Sequence, residues 1–267
     1  MVVDDGAGPR VLRDAAVVAR GGKIVEVGRW DSGALAARYV GATVLGGEQS
    51  AVLPGLVNAH HHAAGVTNTQ HGLPDDVLEP WLLSHAGARS AGPARRGDAT
   101  LLAAGRLLRT GVTAVVDMAG CGAADEAGQR AMEGQLPAYE RAGLRGVVCP
   151  GFYFRSRLVH NGDGAFLATL PAGLRARVEA ELLPPGWPPA PGAAEDASEA
   201  ADCDAYLALM ERLHAGAAGL RFASLGYGPP GLQWVGARSF HRIAAAAAAH
   251  GTIVQVSAMR EALHSAC

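Results

Sequence analysis

Paired cysteines are missing from this chain: Cys121, Cys149, Cys203 and Cys267 stand far apart and never form a C-x-x-C. A disulfide scaffold or a thiolate zinc knuckle is therefore not expected, and a reducing cytoplasmic setting is. No apolar run approaches the ~18 residues of a membrane span, and the opening MVVDDGAGPRVLRD is acidic and broken by Gly and Pro, so no secretory leader is expected either. An excess of one charge is also missing. With 23 basic and 25 acidic residues, a formal charge of −2, the chain carries no electrostatic footprint for nucleic acid or an anionic membrane. The composition excludes disorder, since 49% of the 267 residues are hydrophobic and 18% charged. Such a chain can bury a sizeable core as one large domain, or as a large domain with a small companion.

Residues 1–50 and 51–267 differ in style. Residues 15–28 set two β-branched runs around Gly21 and Gly22, which supply the positive φ of a tight hairpin turn. A further strand is expected at Ala42–Leu45, so residues 1–50 read as part of a small antiparallel sheet with no helix. Beyond them, short apolar runs at Ala51–Val57, Thr113–Met118, Gly146–Cys149, Gly219–Leu225 and Thr252–Val256 read as buried parallel strands. Helices are expected between them. One covers Asp98–Arg109, capped by Gly111, and another Ala123–Ala142, capped by Gly143. Two more are expected at Asp204–His214 and at Phe240–His250, the last with Ser239 as its N-cap. The Pro- and Ala-rich stretch 183–201 reads as a surface excursion. This alternation means an α/β protein with a parallel sheet, and the spacing suits either a doubly wound sheet or a (β/α)8 barrel.

The sharpest chemical signal is Pro54-Gly55-Leu56-Val57-Asn58-Ala59-His60-His61-His62. On an extended strand side chains alternate, so His60 and His62 share a face and His61 points to the other. Two neutral imidazoles at the end of one strand make half of a mononuclear site for zinc, iron or nickel.

Three segments together resemble the amidohydrolase superfamily, in the branch containing cytosine deaminase, atrazine and triazine hydrolases, and adenosylhomocysteine and guanine deaminases. They are Gly22-Lys23-Ile24-Val25-Glu26-Val27-Gly28, then Leu53 to His62, then Thr110-Gly111-Val112-Thr113-Ala114-Val115-Val116-Asp117. The resemblance implies a (β/α)8 TIM-type barrel carrying a small β-sandwich, and one divalent metal ion, zinc first and iron or nickel as alternatives, held by His60 and His62. It implies metal-activated water attacking a ring or amide carbon, with C–N hydrolysis of a small molecule such as an amino-substituted heterocycle. Gln70, His71, Asp75, Asp76 and Trp81 fall in the loop that covers the substrate in similar proteins, with Gln70 and Trp81 the candidate binding residues. Asp117 is read as capping the turn after its strand rather than facing the site mouth, and Tyr153 and Phe154 as packing or lining an aromatic pocket.

The sequence departs from the pattern in two places. Where the family has a third histidine, followed three residues later by Glu, this chain has Ser257 and Arg260, with Glu261 one residue late as a candidate acid. His250 and His264 are read as surface residues. Only five strands are counted by residue 258, so the expected barrel is incomplete and the chain reads as an N-terminal portion. An open sheet edge then calls for a partner, a homo-oligomer included. The alternative expectation is a catalytically inactive relative kept for binding or assembly.

Overall fold

The computed structural model describes residues 2–4, 8–63, 65–67, 69–73, 75–76, 93–120, 124–151, 154, 158, 163–183, 195–231 and 234–256. Two compact units emerge, Met1–Leu56 and Val57–Cys267.

The first unit holds two separate two-stranded antiparallel sheets. Strand β1 (Val2–Asp4) pairs with β2 (Pro9–Val11), and β3 (Ala15–Arg20) with β4 (Lys23–Arg29). The β3–β4 turn is made by Gly21 and Gly22, with φ of 58° and 76°, the conformation a two-residue hairpin of this hand requires. A helix, α1 (Ser32–Arg38), corrects the expectation of none in this region. It starts because the Asp31 carboxylate accepts the Ala34 N–H at 2.9 Å, and it buries Leu35. Residues 42–47 form no strand, which corrects the expected strand at Ala42–Leu45: Val44 and Leu45 are exposed.

The second unit is α/β. Strands β5 (Leu56–His61), β6 (Val112–Gly120), β7 (Arg145–Gly151) and β8 (Ala223–Leu225) lie side by side in that order. The β6–β7 and β7–β8 pairs are parallel, and a parallel bridge from Tyr227 to Val254 extends the sheet into the last apolar run. The first of these strands starts five residues later than the expected Ala51, and its Leu56 and Val57 are exposed rather than buried. It lies at the edge of the described sheet, where only β6 flanks it.

The helices are α2 (Pro93–Arg109), α3 (Glu126–Ala142), α4 (Asp163–Thr169), α5 (Ala172–Leu182), α6 (Glu195–Ala217) and α7 (Ala237–Ala249). Gly111 and Gly143 follow α2 and α3 with left-handed φ, as their sequence positions predict. The excursion expected at 183–201 is too long, because α6 already begins at Glu195. Its Ala- and Glu-rich first turns favour helix, and Glu199 is buried with its carboxylate accepting the Gly236 N–H at 2.6 Å. That contact also moves the start of α7. Gly236 rather than Ser239 is the N-cap, and Ser239 is buried inside the helix.

The core lies between the sheet and α3, α6 and α7, around Met132, Tyr139, Tyr206, Leu209, Tyr227 and Ile243. Tyr206 Oη donates to the Pro150 carbonyl at 2.6 Å and accepts the Gly228 N–H at 3.3 Å, so its polar tip is matched. At this point β7 and the chain after β8 run backbone to backbone: a Cβ on Gly151 would stand 1.5 Å from the Gly228 carbonyl oxygen. Among the described residues no helix is long and apolar enough to cross a membrane.

Candidate metal centre

The end of β5 carries the three histidines, and alternation separates them as the strand pattern predicts. The His60 and His62 rings lie with centroids 5.0 Å apart, at 83° to one another, and both stay accessible. Two imidazoles bound to one tetrahedral zinc at about 2.0–2.1 Å from each nitrogen bring their ring centres to about 5 Å. The observed separation therefore fits a shared ion. His61 turns away and is half-buried, with its Nε2 lacking a hydrogen-bond partner.

Each member of the pair has a partner at Nδ1. His62 Nδ1 lies 2.8 Å from the Met118 carbonyl oxygen on β6. A carbonyl can only accept, so this nitrogen carries the proton and, in the neutral ring, Nε2 keeps its lone pair. His60 Nδ1 lies 2.9 Å from the side-chain amide of Gln255. That amide can donate to the ring or, turned over, accept from it, and so serves either tautomer. Burial, and then the neighbouring His62, lower the His60 pKa, against a smaller opposing pull from Asp117. The shift favours the neutral form that binds metal.

Asp117 corrects the capping expectation. It is fully buried, and its Oδ1 accepts the Ala63 N–H at 3.0 Å. Its Oδ2 accepts from Tyr139 Oη at 2.8 Å and from the Gln135 amide, both on α3. Burial raises its pKa, and the hydrogen bonds from Tyr139 and Ala63 oppose that rise. The same environment raises the Tyr139 pKa, through burial first and the carboxylate second. His61 faces this layer too: burial lowers its pKa and Asp117 works against that effect.

The other residues singled out in the sequence distribute as follows. Gln70 lies on a short 3-10 turn (Thr69–His71), where its Oε1 accepts from the Thr67 N–H at 2.9 Å, so the amide is engaged within its own loop. Asp75 and Asp76 are exposed. Phe154 is buried and meets Tyr206 edge to face, the packing role. Trp81, Tyr153, Ser257, Arg260, Glu261 and His264 lie outside the described residues. His250, at the end of α7, is half-buried rather than fully exposed: it stacks on His214 with centroids 3.9 Å apart, and its Nδ1 lies 2.9 Å from Tyr227 Oη. Among the described residues no group of three or more His, Cys, Asp or Glu side chains is placed to hold a metal ion. The His60–His62 pair thus fits part of a donor set.

Sequence reading missed Gln255 as the partner of His60, the role of Asp117, and its donors Gln135 and Tyr139. A signal was present for three of them. An acid inside the apolar run Val112–Met118 must find donors, and Gln135 and Tyr139, four residues apart, are the polar pair on the buried face of α3.

The fold has relatives among known proteins. Twenty-four chains of solved structures match it, and the two described next are under 25% identical, so their likeness speaks for the fold alone. An adenosine deaminase from Xanthomonas campestris with bound zinc superposes with a TM-score of 0.61 at 23% identity, over 92% of this chain and 44% of that one. An atrazine chlorohydrolase from Arthrobacter aurescens, complexed with zinc and atraton, gives 0.67 at 18% identity, over 96% and 50%. In sequence, the 5-methylthioadenosine/S-adenosylhomocysteine deaminase of Nitratidesulfovibrio vulgaris is 35% identical over 155 residues, 52% of this chain and 34% of that protein. The 5'-deoxyadenosine deaminase of Methanosarcina barkeri is 32% identical over 143 residues, 52% and 29%. No protein-family profile matches the chain. These relatives and neighbours are amidohydrolase-superfamily proteins, which bears out the resemblance read from the three sequence segments. The chain spans about a third of the length of the curated relatives it matches.

Proposed function

We propose that the chain forms part of a metal-dependent aminohydrolase, in which His60 and His62 hold one divalent ion, zinc in the first place, at the end of the first strand of a (β/α)8-type barrel. The observation that carries the reading is the pair of accessible imidazoles 5.0 Å apart, His62 with its Nδ1 proton committed to a carbonyl. When bound, such an ion lowers the pKa of its water to about 7 and so makes hydroxide available at neutral pH. The residues of this chain do the holding. Met118 and Gln255 aim the two rings, and the lowered pKa of His60 favours its unprotonated form.

The substrate class follows from the relatives, whose names specify 5-methylthioadenosine, S-adenosylhomocysteine and 5'-deoxyadenosine. The reaction proposed is hydrolytic deamination of an amino-substituted heterocycle of that kind. Water enters at the ring carbon that bears the amino group, the C–N bond breaks, and ammonia leaves with the proton it needs. Gln70 and Trp81 remain candidates for substrate contact, and Glu261 for proton transfer.

Metal analysis of the purified chain after reconstitution with zinc, iron or nickel tests the centre. Near-stoichiometric metal that is lost in His60→Ala supports it, and no metal in the wild-type chain overturns it. Ser257, standing where the resemblance calls for a third histidine, favours a second reading: a metal-free or inactive relative that serves binding or assembly. Ammonia release from 5-methylthioadenosine, S-adenosylhomocysteine or guanine would rule out the second reading.

A further inference from the structure

We propose that Asp117 is a positioning residue, whose carboxylate ties down the backbone at Ala63 and thereby sets where the His60 and His62 rings point. The inference rests on the metal reading above and assigns a role to a residue beyond the ligands.

The argument begins with where the strand stops. β5 ends at His61, so His62 and Ala63 lie just beyond regular pairing and need another tether. Two consecutive residues of β6 supply it. Asp117 Oδ1 takes the Ala63 N–H at 3.0 Å, and the Met118 carbonyl takes the His62 ring at 2.8 Å. One contact fixes the main chain after the second imidazole, and the other fixes that imidazole's rotation.

The cost of this arrangement argues that it has a use. Packing alone would be served by an apolar residue at 117, as it is at Val115 two residues earlier on the same face. Instead the strand buries a carboxylate completely, which is unfavourable unless donors meet it. They do: Tyr139 and Gln135 on α3 both donate to Oδ2, which leaves Oδ1 aimed at Ala63. The carboxylate is thus clamped between a helix on one side and the exit of the histidine strand on the other. Groups that orient metal ligands in this way typically govern affinity by about 10–100-fold without touching the ion.

The test measures Zn2+ affinity by competition titration and the visible spectrum of the Co2+-loaded chain, for wild type, Asp117→Leu and Asp117→Asn, with melting temperature recorded alongside. Asp117→Leu fills the space but accepts nothing, and is expected to bind about 10–100-fold more weakly with an altered Co2+ spectrum. Asp117→Asn keeps an oxygen for Ala63, and the Gln135 amide, turned over, offers the new amide its Oε1, which has no partner in the wild-type structure. It is expected to stay within about threefold of wild type, below the range seen when an orienting contact is lost. Folded Asp117→Leu with wild-type affinity and spectrum overturns the role and leaves the metal reading standing. Asp117→Asn as weak as Asp117→Leu also overturns it, because charge rather than the tether would then be responsible. If Asp117→Leu does not fold, Tyr139→Phe replaces it, removing one donor to Oδ2 while keeping the ring. A loss of several-fold is then expected, and unchanged affinity overturns the proposal. A wild-type chain that takes up neither metal fails the metal reading itself, and this role falls with it.

Discussion

His62 and Met118 lie 56 residues apart in sequence, yet the ring of one donates through Nδ1 to the main-chain carbonyl of the other at 2.8 Å. Because the acceptor is backbone, the contact depends on the register of β5 against β6 and survives any substitution at 118 that keeps the strand. Nitrogen-15 NMR of the metal-free chain at pH 8 should therefore find His62 as the Nδ1–H tautomer. A neutral ring protonated at Nε2 would contradict the geometry.

The alternation of β5 separates His61 from the histidines on either side of it. Its Nε2 is buried with no hydrogen-bond partner, so the polar ring gains little where it lies. His61→Leu is expected to fold with stability within about 1 kcal/mol of wild type. It should retain the full metal stoichiometry that His60→Ala loses. Denaturant titration and metal analysis of the two variants check this, and loss of metal in His61→Leu would assign the ligands to the wrong face.

The stacked pair His214–His250 gives a pH dependence of stability away from the centre. Burial, then His250, lower the His214 pKa from its ordinary 6.5, and Glu211 only partly offsets them. The unfolded chain thus holds more protons at this ring than the folded one between the lowered value and 6.5. Stability consequently rises with pH through that window and is lost as pH falls through it. Urea midpoints at pH 7.5 and 5.5 should show the loss in wild type and a smaller one in His214→Phe, which keeps an aromatic ring against His250 and Tyr227. Equal losses in both proteins would place the titration elsewhere.

Gly151 allows the tightest approach of two backbone segments described above. A methyl group there would overlap the Gly228 carbonyl oxygen, and neither partner is a side chain that can turn aside. Gly151→Ala is expected to destabilise the chain by at least about 4 kcal/mol. Soluble yield and a circular-dichroism melt measure it, and a wild-type melt would show that the segments can separate at little cost.

The local devices were readable in the sequence wherever one residue type satisfies a steric demand. Gly21-Gly22 marks the hairpin, Gly111 and Gly143 mark two helix ends, and the period-two placement of His60 and His62 puts both on one face. What escaped was decided by contacts distant in sequence. Glu199 anchors the Gly236 N–H from 37 residues away and so fixes both where α6 runs and where α7 starts. Gln255 reaches His60 across 195 residues, and Asp117 meets Ala63 across 54. Periodicity reports the faces of single elements, and none of these partners lies on the same element as the group it serves.

Adjacent positions of one strand deliver both tethers to the histidine exit, the Asp117 side chain and the Met118 carbonyl. Inserting or deleting one residue between Val112 and Val116 would exchange the two sides of the pleat, carry the acid out of reach of α3 and leave the imidazole without its acceptor. Strand length is accordingly the invariant here, whereas Ala114 and Val116 carry no such contact and can vary among residues that suit a pleated surface.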